Sequence, residues 1–193
     1  MKVLPLHINL LVLCTLFFTV TMALQGCING KRNLSIANFN PPIKSVTWHE
    51  SVRRRILIES QDISDSSYLV ESDSFYSVKY FSGKHLTALK RFTKKSKLIS
   101  EEIYYSNDGD YELYFNWCVN GQLASESIKY KGNFYGIMSV GNCNGSLQEE
   151  GFVFKNVRIG TWITINQGGV LKKTEYGNEY LFDSLPPVVN RVE

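Results

Sequence analysis

Histidine is scarce in this chain of 193 residues, with three in all, and the scarcity narrows the available chemistry. His7 lies in an apolar leader, which leaves His49 and His85. His49-Glu50 has no second histidine at the spacing of a zinc-protease helix, because Arg53 stands there. Both are therefore expected as surface histidines. No G-x-S-x-G nucleophile turn and no glycine-rich phosphate loop occur, so the sequence offers no catalytic residue, metal-ligand set or cofactor site. Asp108-Gly109-Asp110 places two carboxylates in a turn without the further oxygen ligands of a calcium loop, and is expected to be a solvated hairpin turn. Glu101-Glu102 and Glu149-Glu150 are adjacent on expected strands and point to opposite faces, so neither is an acid–base pair. Net charge is low as well, at +3, which argues against nucleic acid as a partner. Long helical periodicity is absent beyond the leader.

The leader itself is informative. Lys2 precedes an apolar run from about Ile8 to Leu24, the layout of an export signal, short for a stable membrane span. The run ends in Leu24-Gln25-Gly26-Cys27, which resembles the bacterial lipobox, Leu-x-Gly/Ala-Cys. The resemblance implies cleavage after Gly26, lipid attachment at the Cys27 sulfur and acylation of the new amine. Several acyl chains together give stable membrane anchoring. Ile28 stands where an inner-membrane retention signal would place Asp, so the expected address is the outer membrane of a Gram-negative bacterium.

Cysteine is sparse, with four residues. Cys14 leaves with the leader and Cys27 takes the lipid, so Cys118 and Cys143 remain in an oxidising setting that permits a disulfide. Each precedes an Asn-Gly turn. Equivalent points on successive hairpins lie roughly 9–10 Å apart, whereas bridged Cα atoms need less than about 7 Å. A bond requires the two loops to lean together; the sequence permits it without requiring it.

Aromatics are abundant: eleven Tyr, eleven Phe and three Trp favour pleated surfaces. Glycines punctuate them at a constant interval. Gly121, Gly145 and Gly169 are evenly spaced, and Leu123, Leu147 and Leu171 repeat the same spacing. Gly136 pairs with Gly160 and Glu126 with Glu150 at that offset too. The dipeptides Asn120-Gly121, Asn144-Gly145 and Gly168-Gly169 suit type I′ hairpin turns with positive φ at both centres. A second turn signal falls midway, at Lys131-Gly132-Asn133 and Lys155-Asn156-Val157. Two turns per interval make one β-hairpin per unit. Leu147 and Phe152 differ in strand parity, and a bulge at Gly151 would restore them to one face. Upstream the pattern decays, since Leu98 stands one position too far from Leu123 to keep the interval. The expected organisation is leader 1–26, tether 27–42, an irregular β segment 43–82 with strands in "IKSVTW", "RRILIES" and "SFYSVKYF", hairpin repeats 83–182, and tail 183–193.

The stretch "NGSLQEEGFVFKNVRIGTWITI" resembles a unit of the variant MORN repeat of bacterial YwqK-type proteins. Asn144, Gly145, Leu147, Glu150, Gly151, Phe154, Asn156, Gly160, Trp162 and Ile165 fill the motif. The preceding unit keeps Asn120, Gly121, Leu123, Glu126, Tyr130, Gly132 and Gly136, with Ser127 for the glycine and Met138 for the tryptophan. The resemblance implies an all-β fold, an elongated twisted antiparallel meander of hairpins, in which Gly121, Gly136, Gly145, Gly160 and Gly169 are turn residues. It implies an interaction or scaffold surface without catalytic residues.

The expected function is a non-catalytic envelope lipoprotein that binds a protein partner. A glycan-binding module is the alternative, and an enzyme built around 43–82 a second one. Exposed contiguous aromatics with amides nearby would favour the glycan; a buried titratable pair lining a cleft would favour the enzyme. The basic run Lys90, Arg91, Lys94, Lys95 and Lys97 could meet anionic headgroups, although a solvated turn that guards a sheet edge is the favoured explanation. Arg53, Arg54 and Arg55 form a second basic cluster.

Overall fold

The turns set the architecture. A computed structural model describes residues 41–166 and 168–188, all within the unit spanning 35–193. The leader, Cys27, the tether up to residue 40 and the last five residues lie outside the described residues. Helix α1 (Ile43–Glu59) is followed by ten strands: β1 (Asp65–Val70), β2 (Phe75–Ser82), β3 (His85–Thr93), β4 (Ile99–Tyr105), β5 (Tyr111–Trp117), β6 (Leu123–Tyr130), β7 (Asn133–Gly141), β8 (Leu147–Phe154), β9 (Val157–Ile165) and β10 (Leu171–Glu175). A 3-10 helix (Glu179–Ser184) comes last. The strands pair strictly in sequence order and antiparallel, forming one open ten-stranded meander. The all-β meander expected from the turn spacing is the fold.

The repeat reaches further than the residues suggested. Strands β2, β4, β6, β8 and β10 begin at Phe75, Ile99, Leu123, Leu147 and Leu171, all at the same interval. The partner of Leu123 one unit upstream is thus Ile99 rather than Leu98. Lys97, one interval before Gly121, also has positive φ (+56°), so a lysine fills a turn position that later units give to glycine. Single extra residues recur in phase: Ser100, Ala124 and Gln148 have no opposite number on β3, β5 and β7. The bulge at Gln148 changes parity between Leu147 and Phe152 on the β7 side. Gly151 marks a second irregularity, towards β9, where Glu150 faces Ile163 and Phe152 faces Ile159.

The turn types are the reverse of those expected. In the turns before β6, β8 and β10 only the second glycine-bearing centre has positive φ: Gly121 +80°, Gly145 +84°, Gly169 +76°. Gly121 N–H donates to Cys118 O at 2.9 Å and Cys118 N–H to Gln122 O at 2.8 Å, a three-residue loop closed by a glycine bulge. Positive φ at both centres occurs instead midway, at Lys131-Gly132 and Lys155-Asn156.

Residues 43–59 overturn the expected strands in "IKSVTW" and "RRILIES": they are α1, packed across β4, β5 and β7. Ser45, Trp48, His49, Val52 and Ile56 are its buried residues, at helical spacing along one stripe. Gly136 and Gly160, expected as turn residues, lie instead within β7 and β9. Gly136 makes the close approach feasible, because a Cβ there would stand 2.8 Å from both His49 Nδ1 and Trp48 Cζ3. Gly160, its equivalent in the next unit, seats Phe182 of the 3-10 helix in the same way, at 3.1 Å. The expected tail is partly structural as well. Pro186 O accepts from Trp48 Nε1 at 2.7 Å, and Pro187 O accepts from the Tyr111 hydroxyl at 2.9 Å.

Candidate functional site

Two places concentrate chemistry, and the first lies beneath α1. His49 is buried, contrary to its expected surface position. Its Nδ1 accepts the Ile137 N–H at 3.1 Å, which leaves the proton of the neutral ring on Nε2, 3.9 Å from Glu126 Oε1. Arg53 Nε donates to the same oxygen at 2.6 Å. Burial pushes the Glu126 carboxyl up, but His49 and Arg53 outweigh it and hold it below the ordinary range. Glu150, the repeat equivalent of Glu126, is fully buried one strand pair further on. A shallow cavity of about 130 Å³ opens beside Pro41, Pro42, Gly160 and Phe182. A second, of about 280 Å³, is lined by Glu71, Phe75, Arg91, Ser100, Glu101 and Asn116. Neither is lined by His49 or Glu126; this titratable pair fastens helix to sheet.

The expected turn at Asp108 belongs to the same fastening and is not merely solvated. Arg55 donates to Asp108 at 2.6 Å and to Glu59 at 2.8 Å, and Glu59 also accepts the Asn107 N–H. Burial raises the Asp108 carboxyl, but hydrogen bonds from Ser106, Arg55 and the Asp110 N–H outweigh it and bring it down to about 2.

The second place is the helix-side face beyond the reach of α1. Residues opposite one another across a ladder share a face. The registers therefore put Tyr68, Val70, Tyr76, Val78, Tyr80, Lys90 and Phe92 on one side of β1–β3. Tyr76 stands between Tyr68, with ring centroids 5.1 Å apart, and Phe92, stacked at 5.0 Å and 10°. The row ends at the sheet edge, where Tyr68 is 61% exposed and Val70 56%. All six residues of β1 are exposed.

The basic run divides across the sheet. Lys90 pairs with Glu102 on the helix side at 2.8 Å, while Arg91 pairs with Glu71 at 2.6 Å and Glu101 at 2.9 Å on the other. Burial would lower Lys90, yet its Glu102 partner outweighs it and leaves the ammonium raised. Lys94, Lys95 and Lys97 remain in the β3–β4 turn, outside the ion pairs among the described residues. Arg53 and Arg55 are likewise committed, to Glu126 and Asp108, and only Arg54 of that cluster is exposed.

Cys118 and Cys143 are joined, with Cα atoms 5.5 Å apart. The two loops lean together as the bond requires, and the Asn120 carboxamide donates across to Cys143 O. Tyr130, Phe154 and Trp162 sit in or against the core. Trp162 lies over Gly151, where a Cβ would come within 2.2 Å of the indole. The aromatic row of β1–β3 was not anticipated as a site, although Tyr76, Val78 and Tyr80 alternate with the period of one strand face.

No family model matches the chain, and no curated protein matches it. Among solved structures, the crystal structure of TarM aligns at 10% identity with a TM-score of 0.31, over 74% of this chain and 29% of that one. The chain spans under a third of that protein, and a likeness so slight bears on neither fold nor function.

Proposed function

We propose that this chain is a non-catalytic interaction module, exported and held at the cell envelope through lipidated Cys27, that binds a protein partner through β1–β3. The observation that carries the reading is the apolar and aromatic row, half-buried at Phe92 and Tyr76 and exposed at Tyr68 and Val70, on an open sheet edge. The disulfide fits an oxidising compartment outside the cytosol, and the evenly spaced hairpin units fit a MORN-like repeat scaffold. Lys94, Lys95 and Lys97 are the part of the basic run left to meet anionic headgroups.

Protein contact is favoured over glycan by ring orientation. Both faces of Tyr76 are occupied by neighbouring rings, so it offers a sugar no stacking surface. No Asn or Gln stands among the helix-side positions of β1–β3 to bind hydroxyl groups. Two experiments test the reading. A benzophenone amino acid at position 68, in cells expressing the full chain, should yield a discrete protein adduct that position 171 on β10 does not; no adduct at 68 contradicts it. Labelling with a palmitate analogue should vanish in Cys27→Ser, and equal labelling would remove the anchor.

A further inference from the structure

We infer that the partner of β1 is a second copy of this chain: two β1 strands pair antiparallel about a two-fold axis at Ser67, joining two ten-stranded sheets edge to edge. The inference rests on the reading of β1–β3 as an interaction surface and names what occupies it.

The two edges of the sheet are built differently. β10 carries Lys172 and Lys173, the usual protection of a free edge. β1, Asp-Ser-Ser-Tyr-Leu-Val, has neither lysine nor proline and pairs with β2 without a break in register. Among the described residues, its outer side is an unobstructed template for another strand.

Face and charge then select the partner strand. Opposite residues must share a face, so the helix-side row continues only if the two residue numbers of each opposed pair sum to an even value. With Tyr68 opposite Tyr68, Asp65 would face Glu71 of the other copy, a like-charge pair. With Ser67 opposite Ser67, Asp65 faces Leu69 and Tyr68 faces Ser66. The two Tyr68 rings then stand diagonal to each other across the new ladder, a separation that aromatic side chains can span. The row of Phe92, Tyr76 and Tyr68 runs on into its own mirror sequence in the second copy.

Charge along the strand is complementary to itself. The Val70 end adjoins the β3–β4 turn, since Lys94 N–H donates to Ser74 O at 2.8 Å. There Lys94, Lys95 and Lys97 outnumber Asp73, while Glu71 is engaged by Arg91. The opposite end has Asp62 and Asp65 against Lys84. Antiparallel pairing brings the acidic end of each copy to the basic end of the other, twice in one dimer. A foreign strand would have to reproduce this pattern; a second copy already has it.

Disulfide trapping in intact cells expressing the full chain tests it. Ser67 is exposed, so Ser67→Cys leaves the core untouched. Mild oxidation should give a covalent dimer at least tenfold faster than Lys172→Cys on the other edge, and adding Tyr68→Lys should cut that rate at least tenfold. Equal rates at the two edges, or no dimer, overturn self-association. The benzophenone at position 68 separates the remaining outcomes. An adduct of twice the chain mass supports the inference. An adduct with another protein overturns it and leaves the interaction reading standing, and no adduct removes both.

Discussion

A glycine can be required by its own backbone or by what presses against it, and this chain separates the two reasons. Gly121 has φ +80° with nothing within 4 Å of a would-be Cβ, whereas Gly136, at φ +83°, would drive a Cβ into His49 and Trp48. Gly121→Ala should cost about 1 kcal/mol of strain, and Gly136→Ala a further ~1–3 kcal/mol of overpacking, read as the difference between their denaturation midpoints. Equal costs would mean that α1 is not seated on Gly136. Gly151 is a second such position, because Trp162 covers it. The preceding unit holds Ser127 and Met138 at the same places, a slimmer and more pliable partner for a side chain that a glycine lacks. Gly151→Ser should therefore destabilise by about 1–3 kcal/mol, and Trp162→Met should recover part of that loss in the double variant; simple additivity would contradict the coupling. The spacing of Gly121, Gly145 and Gly169 was legible because each marks a turn, whereas Gly136 and Gly160 stand inside β7 and β9 for what presses on them. Lys97 was not, since a lysine at positive φ leaves no mark in composition.

Helix α1 is the element whose residues concealed it. Ile43, Val46, Thr47, Val52, Ile56 and Ile58 are β-branched and favour extended structure. Two of its five buried positions, Ser45 and His49, are polar, which breaks the apolar stripe that usually reveals a helix. The legible signal was the spacing of Trp48, Val52 and Ile56, supported by the Arg55–Glu59 pair four positions apart. Its fastening to the β4–β5 turn depends on pH. The folded pKa of Asp108 lies near 2, below the ordinary value of 3.8, so its contribution is full above about pH 4 and fades as pH falls towards 2. Asp108→Asn should make the loss of thermal stability across that interval shallower; an unchanged slope would remove Arg55–Asp108 as its source. Between turns, the Cys118–Cys143 bond closes a loop of 25 residues. Replacing both by serine should cost about 3 kcal/mol by loop-closure entropy, and an unaltered melting temperature would show that the leaning loops hold without it.

At the scale of the molecule, four in-phase hairpin units between β1 and β10 build one sheet, and the sheet is covered unevenly. α1 and the C-terminal segment occupy the helix-side face from β4 to β9, while that face is half-buried on β2 and β3 and exposed on β1. The even turn spacing announced the architecture, but coverage depends on where a helix of ambiguous composition comes to rest, and no periodicity records that. It also decides which of two edges is free to accept a strand. Hydrogen exchange of β1 compared with β10, in the full chain held in its native membrane and after dilution into detergent, tests this most directly. Residues 65–70 should be protected in the membrane and lose that protection on dilution, while 171–175 exchange alike in both. Fast exchange of 65–70 in the membrane, equal to that after dilution, would contradict an occupied β1 edge.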